Sequence, residues 1–168
     1  DNNSFRGYGV QINGSYVKVN GSDADEFVLA ASSNMNRCSV ITTTGGVSIE
    51  GLGSISICGD EDRKDSANYA SIDAGSVQFI NNAIIHLDDN NKSSSQRIIS
   101  ADHITIRDCD LLTMRNNSTT VTNGYASGSV ISSLNSVYLQ GNRDVFIQNN
   151  SVYSKYSSCR GGVIEASA

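Results

Sequence analysis

One spacing of apolar residues recurs four times in this chain and restricts the folds that it can adopt. In each copy, two apolar residues lie two positions apart, and a second such pair begins eight positions after the first. The period of two is typical of β-strands, in which alternate side chains point to the same face. The fixed distance between the pairs predicts a structural unit that is repeated. The copies are Val47/Ile49 with Ile55/Ile57, Val77/Phe79 with Ile85/Leu87, Ile104/Ile106 with Leu112/Met114, and Val137/Leu139 with Val145/Ile147.

The distance between copies varies, although the spacing inside each copy does not. Successive copies start 30, 27 and 33 residues apart, and an isoleucine precedes each copy by five or six positions. A single coil of short strands cannot bury its apolar face, so similar coils must stack, and insertions are tolerated only where the chain leaves the stack. We therefore predict an all-β chain folded as a right-handed parallel β-helix, a solenoid of about four full coils with partial coils at both ends. The isoleucines are Ile41, Ile72, Ile99 and Ile131.

Two other folds explain the pattern less well. Ser, Thr, Asn, Gly and β-branched residues dominate, and no long segment shows an apolar stripe at the helical period, which disfavours helices. A β-sandwich also has short alternating strands, but it does not require the same spacing in every copy. The β-helix is therefore the preferred prediction.

Polar columns accompany the apolar ones. Thirteen positions after the first apolar residue of each copy, the chain carries Asn or Asp. Stacked asparagines can hydrogen-bond along their own column, so we predict an asparagine ladder at a turn of the coil, although these residues are also common in ordinary turns. The ladder column contains Asp60, Asn90, Asn117 and Asn150, and an earlier turn column contains Leu52, Asn82, Cys109 and Asn142.

The chain is interpreted as one β-helical unit, residues 1–168, with an irregular first part. Residues 1–39 carry Val10/Ile12 and Val17/Val19, pairs that begin seven rather than eight positions apart, and are predicted to form a first coil or a cap. Regular repeats are predicted for residues 40–168. The sequence begins with Asp rather than Met, so we expect it to be a processed or excised part of a larger surface protein.

Composition and motifs offer little for nucleic-acid binding or catalysis. The formal net charge is −5 with both signs scattered, which provides no basic surface for nucleic acid. The acidic residues fall mostly in polar loops, and His86 and His103 are at outward-facing strand positions by alternation. No GxSxG, HExxH or P-loop motif is present. We therefore predict no catalytic residues, no metal site and no cofactor. A carbohydrate-active β-helix and a purely structural stalk remain as alternatives.

Short motifs inside the repeats resemble those of one bacterial protein family. A glycine pair precedes aliphatic residues, and FxxN occurs twice. From about residue 40 to the C-terminus, the chain resembles the passenger segments of the chlamydial polymorphic outer membrane proteins, which repeat GGA(I/L/V) and FxxN. Valine replaces the usual alanine after the glycine pair, and the third copy lacks FxxN. The matching residues are Gly45, Gly46 and Val47; Gly161, Gly162, Val163 and Ile164; Phe79 with Asn82; and Phe146 with Asn149.

That family consists of autotransporter adhesins. The resemblance implies a non-catalytic passenger segment on the bacterial cell surface or outer membrane, or secreted after processing, that mediates host-cell attachment. It implies an unidentified host-cell receptor or glycan as the partner, and the matching residues as the adhesion motif. Membrane attachment is expected only through a C-terminal barrel outside this sequence. Self-association through the ends of the β-helix is a further expectation.

Loops and cysteines supply the remaining candidates. The chain leaves every copy from the same corner, so the loops share one face, where repeat proteins often bind partners. Four tyrosines on these loops form a candidate binding face, although they can equally cover the apolar end of the coil. Cys38 and Cys58 enter the same coil and are the preferred pair for a disulfide, while other connectivities stay open. The tyrosines are Tyr69, Tyr125, Tyr153 and Tyr156.

Overall fold

The chain folds as a stack of parallel strands. The computed structural model describes residues 4–8, 10–31, 38–59, 69–92, 97–122, 126–127, 130–160 and 162–167. Within these residues, every strand pairing is parallel and joins one coil to the next. The all-β parallel solenoid that the repeat predicts is thereby confirmed.

Two six-stranded sheets form two sides of the solenoid. Each coil contributes one strand to the first sheet and, after a short turn, one strand to the second. The first sheet contains β2 (Gln11–Asn20), β4 (Ser39–Glu50), β6 (Ala70–Ile80), β9 (Ile99–Arg107), β13 (Ile131–Gln140) and β17 (Ile164–Ala166). The second sheet contains β1 (Ser4–Tyr8), β3 (Glu26–Ala30), β5 (Ser54–Cys58), β7 (Ile84–His86), β10 (Leu111–Arg115) and β14 (Asp144–Gln148).

A third side is built from the segments expected to be loops. These segments do stack on one face, but parts of them form strands that pair with their counterparts in neighbouring coils. The third sheet contains β8 (Asn91–Lys92), β11 (Ser118–Val121) and β15 (Ser151–Ser154). A short two-stranded sheet contains β12 (Ala126–Ser127) and β16 (Cys159–Arg160).

The repeat spacing corresponds to strand register. Val77 pairs with Val47 on one side and with Ile104 on the other, and Ile104 also pairs with Val137. Val77 and Ile104 have no exposed surface, because they face the interior between two stacked coils. Each apolar column of the sequence is therefore a ladder along the solenoid axis, with rungs about 4.8 Å apart.

The N-terminal part follows the same register, but its apolar pairs were assigned wrongly from the sequence. Val17 pairs with Val47, so Val17/Val19 is the first apolar pair of a coil rather than the second. The second pair is Phe27/Leu29, which begins ten positions later instead of eight. The turn between β2 and β3 has five residues, whereas the turn between β4 and β5 has three. This insertion of two residues conceals the copy in the sequence.

Asparagine side chains connect the coils at the corner between the second and third sheets. Asn117 Oδ1 accepts hydrogen bonds from the backbone N–H and the Nδ2 of Asn90, each at 3.1 Å. Asn117 Nδ2 donates to the carbonyl oxygen of Leu87 at 2.7 Å and to Asn150 Oδ1 at 2.9 Å. The predicted ladder is thus confirmed for Asn90, Asn117 and Asn150, while Asp60 lies outside the described residues.

At the corner between the first and second sheets, asparagine side chains also accept hydrogen bonds from the backbone of a neighbouring coil, but the column is less regular. The backbone N–H of Leu52 donates to Asn82 Oδ1 at 3.0 Å, and that of Cys109 donates to Asn142 Oδ1 at 3.2 Å. At both corners, the preceding residue has a positive φ, a backbone conformation that Gly, Asn and Asp tolerate best. These residues are Gly51, Asn81, Asp89, Asp108, Asn116, Gly141 and Asn149, with φ between 54° and 75°.

The last coil has inward side chains that no described strand covers. Leu112 and Met114 are fully buried, whereas Val145 and Ile147, their partners in β14, are 42% and 45% exposed. The reason is that no strand in the described part of the chain pairs with the far edge of β14. Burial in this fold depends on having a neighbour on both sides.

Substitution of Asn117 by alanine should lower the free energy of unfolding by about 2–4 kcal/mol, because it leaves a buried N–H and a buried carbonyl without partners. Urea unfolding followed by circular dichroism measures this loss. Asn135→Ala is the matched control, since Asn135 is exposed and should change the stability by less than about 0.5 kcal/mol. Equal effects of the two substitutions would contradict a structural role for the ladder.

Candidate functional site

The two FxxN segments occupy different places in the coil. Phe79 is fully buried in the core, and Asn82, at 1% exposed, bonds to the backbone of the neighbouring coil. Phe146 lies on the outer face of the second sheet and is 45% exposed, as its position between two inward residues predicts. Asn149 is exposed at the following corner. The Phe and Asn side chains that define the motif are therefore accessible in the second segment but not in the first.

The glycine motifs allow coils to pack closely. Gly46 and Val47 are buried within β4, and a Cβ atom on exposed Gly45 would collide with the carbonyl oxygen of Ser15 in the neighbouring coil. In the other motif, Gly162 is exposed, Val163 and Ile164 are half-buried, and Gly161 lies outside the described residues. The first motif thus serves coil packing.

The candidate tyrosines that the structure describes differ in exposure. Tyr69 is buried at 8% exposed, and Tyr125 lies outside the described residues. Tyr153 and Tyr156 are 57% and 67% exposed, and Lys155 Nζ lies 4.9 Å from the centroid of the Tyr156 ring. Tyr69 is therefore not available to a partner, Tyr153 and Tyr156 are accessible, and the prediction for Tyr125 stays a prediction.

The accessible candidates lie together along one stretch of the last coil. Phe146 is in β14 of the second sheet, Tyr153 is in β15 of the third sheet, and Tyr156 follows β15. The exposed residue Asn149 lies at the corner between the two strands. We call Phe146, Tyr153 and Tyr156 the aromatic corner. Aromatic side chains are enriched at protein interfaces, and tyrosine is also enriched at binding hot spots.

A polar cluster on the outer face of the second sheet contains a histidine, a carboxylate and a hydroxyl. Thr113 Oγ1 donates a hydrogen bond to Asp88 Oδ2 at 2.8 Å and lies 2.7 Å from His86 Nδ1. The backbone N–H of Arg115 donates to Asp88 Oδ1 at 2.8 Å. These residue types occur in nucleophilic active sites, so their geometry decides what they can do.

The cluster lacks the arrangement of a nucleophile with its base. The single hydroxyl proton of Thr113 goes to Asp88, so His86 must donate to Thr113 rather than accept from it. Thr113 is also fully buried, in register between His86 and Phe146, and cannot reach a substrate. The cluster therefore fixes the side chains of adjacent coils.

The same hydrogen bonds determine the charge state of Asp88. Burial alone would raise the pKa of this carboxyl. The nearby His86 ring, together with the hydrogen bonds from Thr113 and the backbone N–H of Arg115, outweighs burial and holds its pKa below the usual value of 3.8. Asp88 is therefore a carboxylate at neutral pH, as an acceptor of several donors must be.

All four cysteines are thiols in the structure, so the expected bridge between Cys38 and Cys58 is not formed there. Cys109 is 2% exposed, whereas Cys159 is exposed. Burial raises the pKa of the Cys109 thiol, and the charges of Asp108 and Asp110 raise it further. Cys109 is thus the thiol least suited to react.

Residues in the described part of the chain also line concave sites, of which two are considered. One is an outer groove of about 230 Å³ along the first sheet, whose lining includes Tyr69, Asp73 and Arg97. The other is a cavity of about 300 Å³ in the solenoid interior, whose lining includes Lys92. The inward position of Lys92 was not predicted from the sequence. It could have been, because Lys92 lies two residues after the ladder residue Asn90, and residues two apart in a strand point to the same face.

Two other features are absent from the described part of the chain. There, no three His, Cys, Asp or Glu side chains converge in a way that could hold a metal ion. The same residues contain no helix of the length and apolarity needed to span a membrane.

Comparison with known proteins identifies no relative. No protein-family description, no curated protein and no solved structure matches this chain significantly. The resemblance to the polymorphic outer membrane proteins therefore depends on the short motifs alone.

Asp88→Asn should lower the free energy of unfolding at pH 7 by about 1–3 kcal/mol, because an amide cannot accept all the hydrogen bonds of a carboxylate. The folded pKa lies below the unfolded one, so this stabilisation is present above the unfolded value and is lost as the pH falls through the folded value. The difference from the wild type should therefore shrink below about pH 4. Denaturant titrations at several pH values measure it, with exposed Asp102→Asn as control. A difference that stays constant down to pH 2 would contradict this account.

Pulsed alkylation of the reduced native protein should modify Cys159 more than about tenfold faster than Cys109, because Cys109 reacts only when the coil opens. Peptide mass spectrometry after each pulse gives the rates. Unfolding in denaturant should make all four cysteines react at similar rates. Comparable native rates for the two thiols would show that the buried position of Cys109 is incorrect.

Proposed function

We propose that this chain is a non-catalytic passenger segment of a bacterial cell-surface adhesin. The β-helix serves as a rigid scaffold, and the aromatic corner contacts a receptor or glycan on the host cell. The observation that carries the proposal is the exposure of Phe146, Tyr153 and Tyr156 within one short stretch of a single coil. Their surroundings are held by backbone pairing and by the asparagine ladder, so binding would not require the scaffold to reorganise.

The same coil offers chemistry suited to a polar host surface. Tyrosine combines a large apolar ring with a hydroxyl, and Phe146, on the adjoining sheet of the same coil, adds a purely apolar side chain. Lys155 stacks near Tyr156 and contributes a positive charge at 4.9 Å from the ring centroid. A surface of this composition matches the mixed polar and apolar character of recognition sites for proteins and glycans.

A carbohydrate-active β-helix is the second candidate, and the outer groove on the first sheet favours it. The groove brings together the aromatic residue Tyr69, the carboxylate of Asp73 and the guanidinium of Arg97, with the hydroxyls of Ser71 and Ser100. These groups can bind sugar hydroxyls and an acidic sugar. Cleavage of a uronic-acid polysaccharide in the presence of Ca²⁺ would favour this candidate over adhesion.

Substitution of all three aromatic-corner residues by serine should weaken binding of the segment to cultured host cells at least tenfold, since each residue is an exposed aromatic anchor. The measurement is a saturation binding curve with the fluorescently labelled segment. Tyr138→Ser is the matched control, because Tyr138 belongs to the same coil and is 60% exposed but lies on the first sheet. Circular dichroism verifies that all variants fold.

Two results would overturn the proposal. If the wild-type segment folds but binds no host cell, the chain is left with the role of a structural spacer. If the triple variant and Tyr138→Ser bind equally well, the aromatic corner is not the contact surface.

A further inference from the structure

The last coil leaves one end of the solenoid open along two of its sides. In the second and third sheets, β14 and β15 are edge strands, and no described strand pairs with their outer edges. Val145 and Ile147 point inward in register with the fully buried Leu112 and Met114, yet they are 42% and 45% exposed. An edge strand of this kind offers unpaired backbone groups to another strand. We call the outer edges of β14 and β15, with these two inward side chains, the open end.

The backbone of β14 presents hydrogen-bonding groups to the open end. The N–H of Asp144 and the carbonyl oxygen of Gln148 both bond to the preceding coil, at 3.0 Å and 3.1 Å. Because backbone polar groups alternate in direction along a strand, those of Val145 and Ile147 face the open end. The strands that pair in the second sheet are all parallel, so a strand added at this edge continues the sheet when it also runs parallel.

The asparagine ladder shows what a following strand must carry at the corner. Asn117 Oδ1 accepts from the backbone N–H of Asn90, and Asn117 Nδ2 donates to the carbonyl oxygen of Leu87. Asn150 makes the same two bonds one coil later, to the backbone N–H of Asn117 at 3.1 Å and to the carbonyl oxygen of Met114 at 2.7 Å. Each coil therefore offers one N–H and one carbonyl to an asparagine of the next coil.

In the last coil, the equivalent groups are the backbone N–H of Asn150 and the carbonyl oxygen of Ile147. Among the residues that the structure describes, no asparagine of a following coil bonds to them. Asn150 lies three positions after Ile147, so an asparagine placed three positions after the second inward residue of an added strand would reach both groups. The apolar side chains alone would suit any apolar surface, whereas the backbone groups and the corner require a strand of this pattern.

We propose that the open end binds an extended peptide strand that carries the pattern of the repeat itself: two aliphatic residues two positions apart, followed three positions later by asparagine. The strand pairs in parallel with β14, and its aliphatic side chains cover Val145 and Ile147. Its asparagine bonds to the N–H of Asn150 and to the carbonyl oxygen of Ile147. The site uses the end of the stack rather than the aromatic side chains on its outer faces, so it does not depend on the adhesive function proposed above.

A synthetic peptide with the sequence of residues 111–121 is the probe. It carries Leu112, Met114 and Asn117 in the required pattern, and this sequence already pairs with β14 and β15 on the side of the preceding coil. Fluorescence anisotropy of the labelled peptide, titrated with the full chain, should show saturable binding. A peptide with Asn117→Ala should bind at least about fivefold more weakly, because it loses two hydrogen bonds. A peptide with Leu112→Ser and Met114→Ser should bind at least about tenfold more weakly, because it loses its apolar contacts.

Hydrogen exchange of the full chain locates the bound peptide. At saturation, the backbone amides of Val145 and Ile147 should exchange at least about tenfold more slowly, because a strand then pairs with the outer edge of β14. The amide of Asp144 is the internal control, since it already bonds to the preceding coil and should change little.

Val145→Pro removes a backbone donor that faces the open end, and edge strands tolerate proline where the lost N–H faces solvent. The variant should keep the circular dichroism of the wild type and bind the peptide at least about tenfold more weakly. Ile147→Lys places a charge on the same surface, should weaken binding equally, and carries the test if Val145→Pro does not fold. Tyr138→Ser is the control, because Tyr138 belongs to the same coil but points outward and is 60% exposed.

Three results would each overturn the proposal. The first is the absence of saturable binding of the 111–121 peptide to the folded chain. The second is equal affinity of the probe and of either substituted peptide. The third is unchanged affinity in a folded Val145→Pro or Ile147→Lys variant.

Discussion

Hydrogen bonding between coils is the constraint on which the rest of this structure depends. Each strand pairs with its counterpart in the neighbouring coil, so the backbone of a single coil cannot satisfy itself. The corners are the weak points of such a stack, because the chain turns there and strand pairing is interrupted. A left-handed residue followed by asparagine solves this problem: the first makes the turn, and the amide of the second replaces the missing backbone bonds. The turn residues and the ladder are therefore as important to the fold as the apolar core.

This constraint explains why the fold could be predicted from the sequence. Strand register makes every inward column visible as a fixed spacing, and Val77 and Ile104 lie where the spacing places them. The ladder was also visible in the sequence, because asparagine must recur at the position of Asn117 in neighbouring coils for the side chains to bond to one another. The prediction failed where a turn gained two residues, since the pair Phe27/Leu29 then shifted out of the expected spacing. The copy was present, but only the pairing of Val17 with Val47 reveals it.

The candidate sites were less predictable, because exposure and cavity formation depend on what lies on both sides of a residue. Phe79 and Phe146 belong to similar motifs, yet one faces inward in the first sheet and the other faces outward in the second. A short motif carries no information on the sheet that it occupies. The alternation of inward and outward side chains did place Phe146 correctly. Lys92 was overlooked for the opposite reason, since a charged residue in a polar segment is expected to be solvated, whereas its register with Thr119 places it inside.

Residues that match along a column stabilise the stack, and residues that do not match are the positions available for another role. A residue that must match its counterparts in the neighbouring coils cannot change in one coil alone without weakening the contacts with the coils on both sides. Residues that break their column are therefore the informative ones. Phe146 follows His86 and Thr113 on the outer face, and Lys92 precedes Thr119 and Val152 on the inner face. The column containing Phe146 changes from a hydrogen-bonded polar pair to an aromatic ring, which lies in register with buried Thr113 and is itself 45% exposed. Phe146 departs from the polar residues of its column, and the adhesive function proposed above would use its exposed ring.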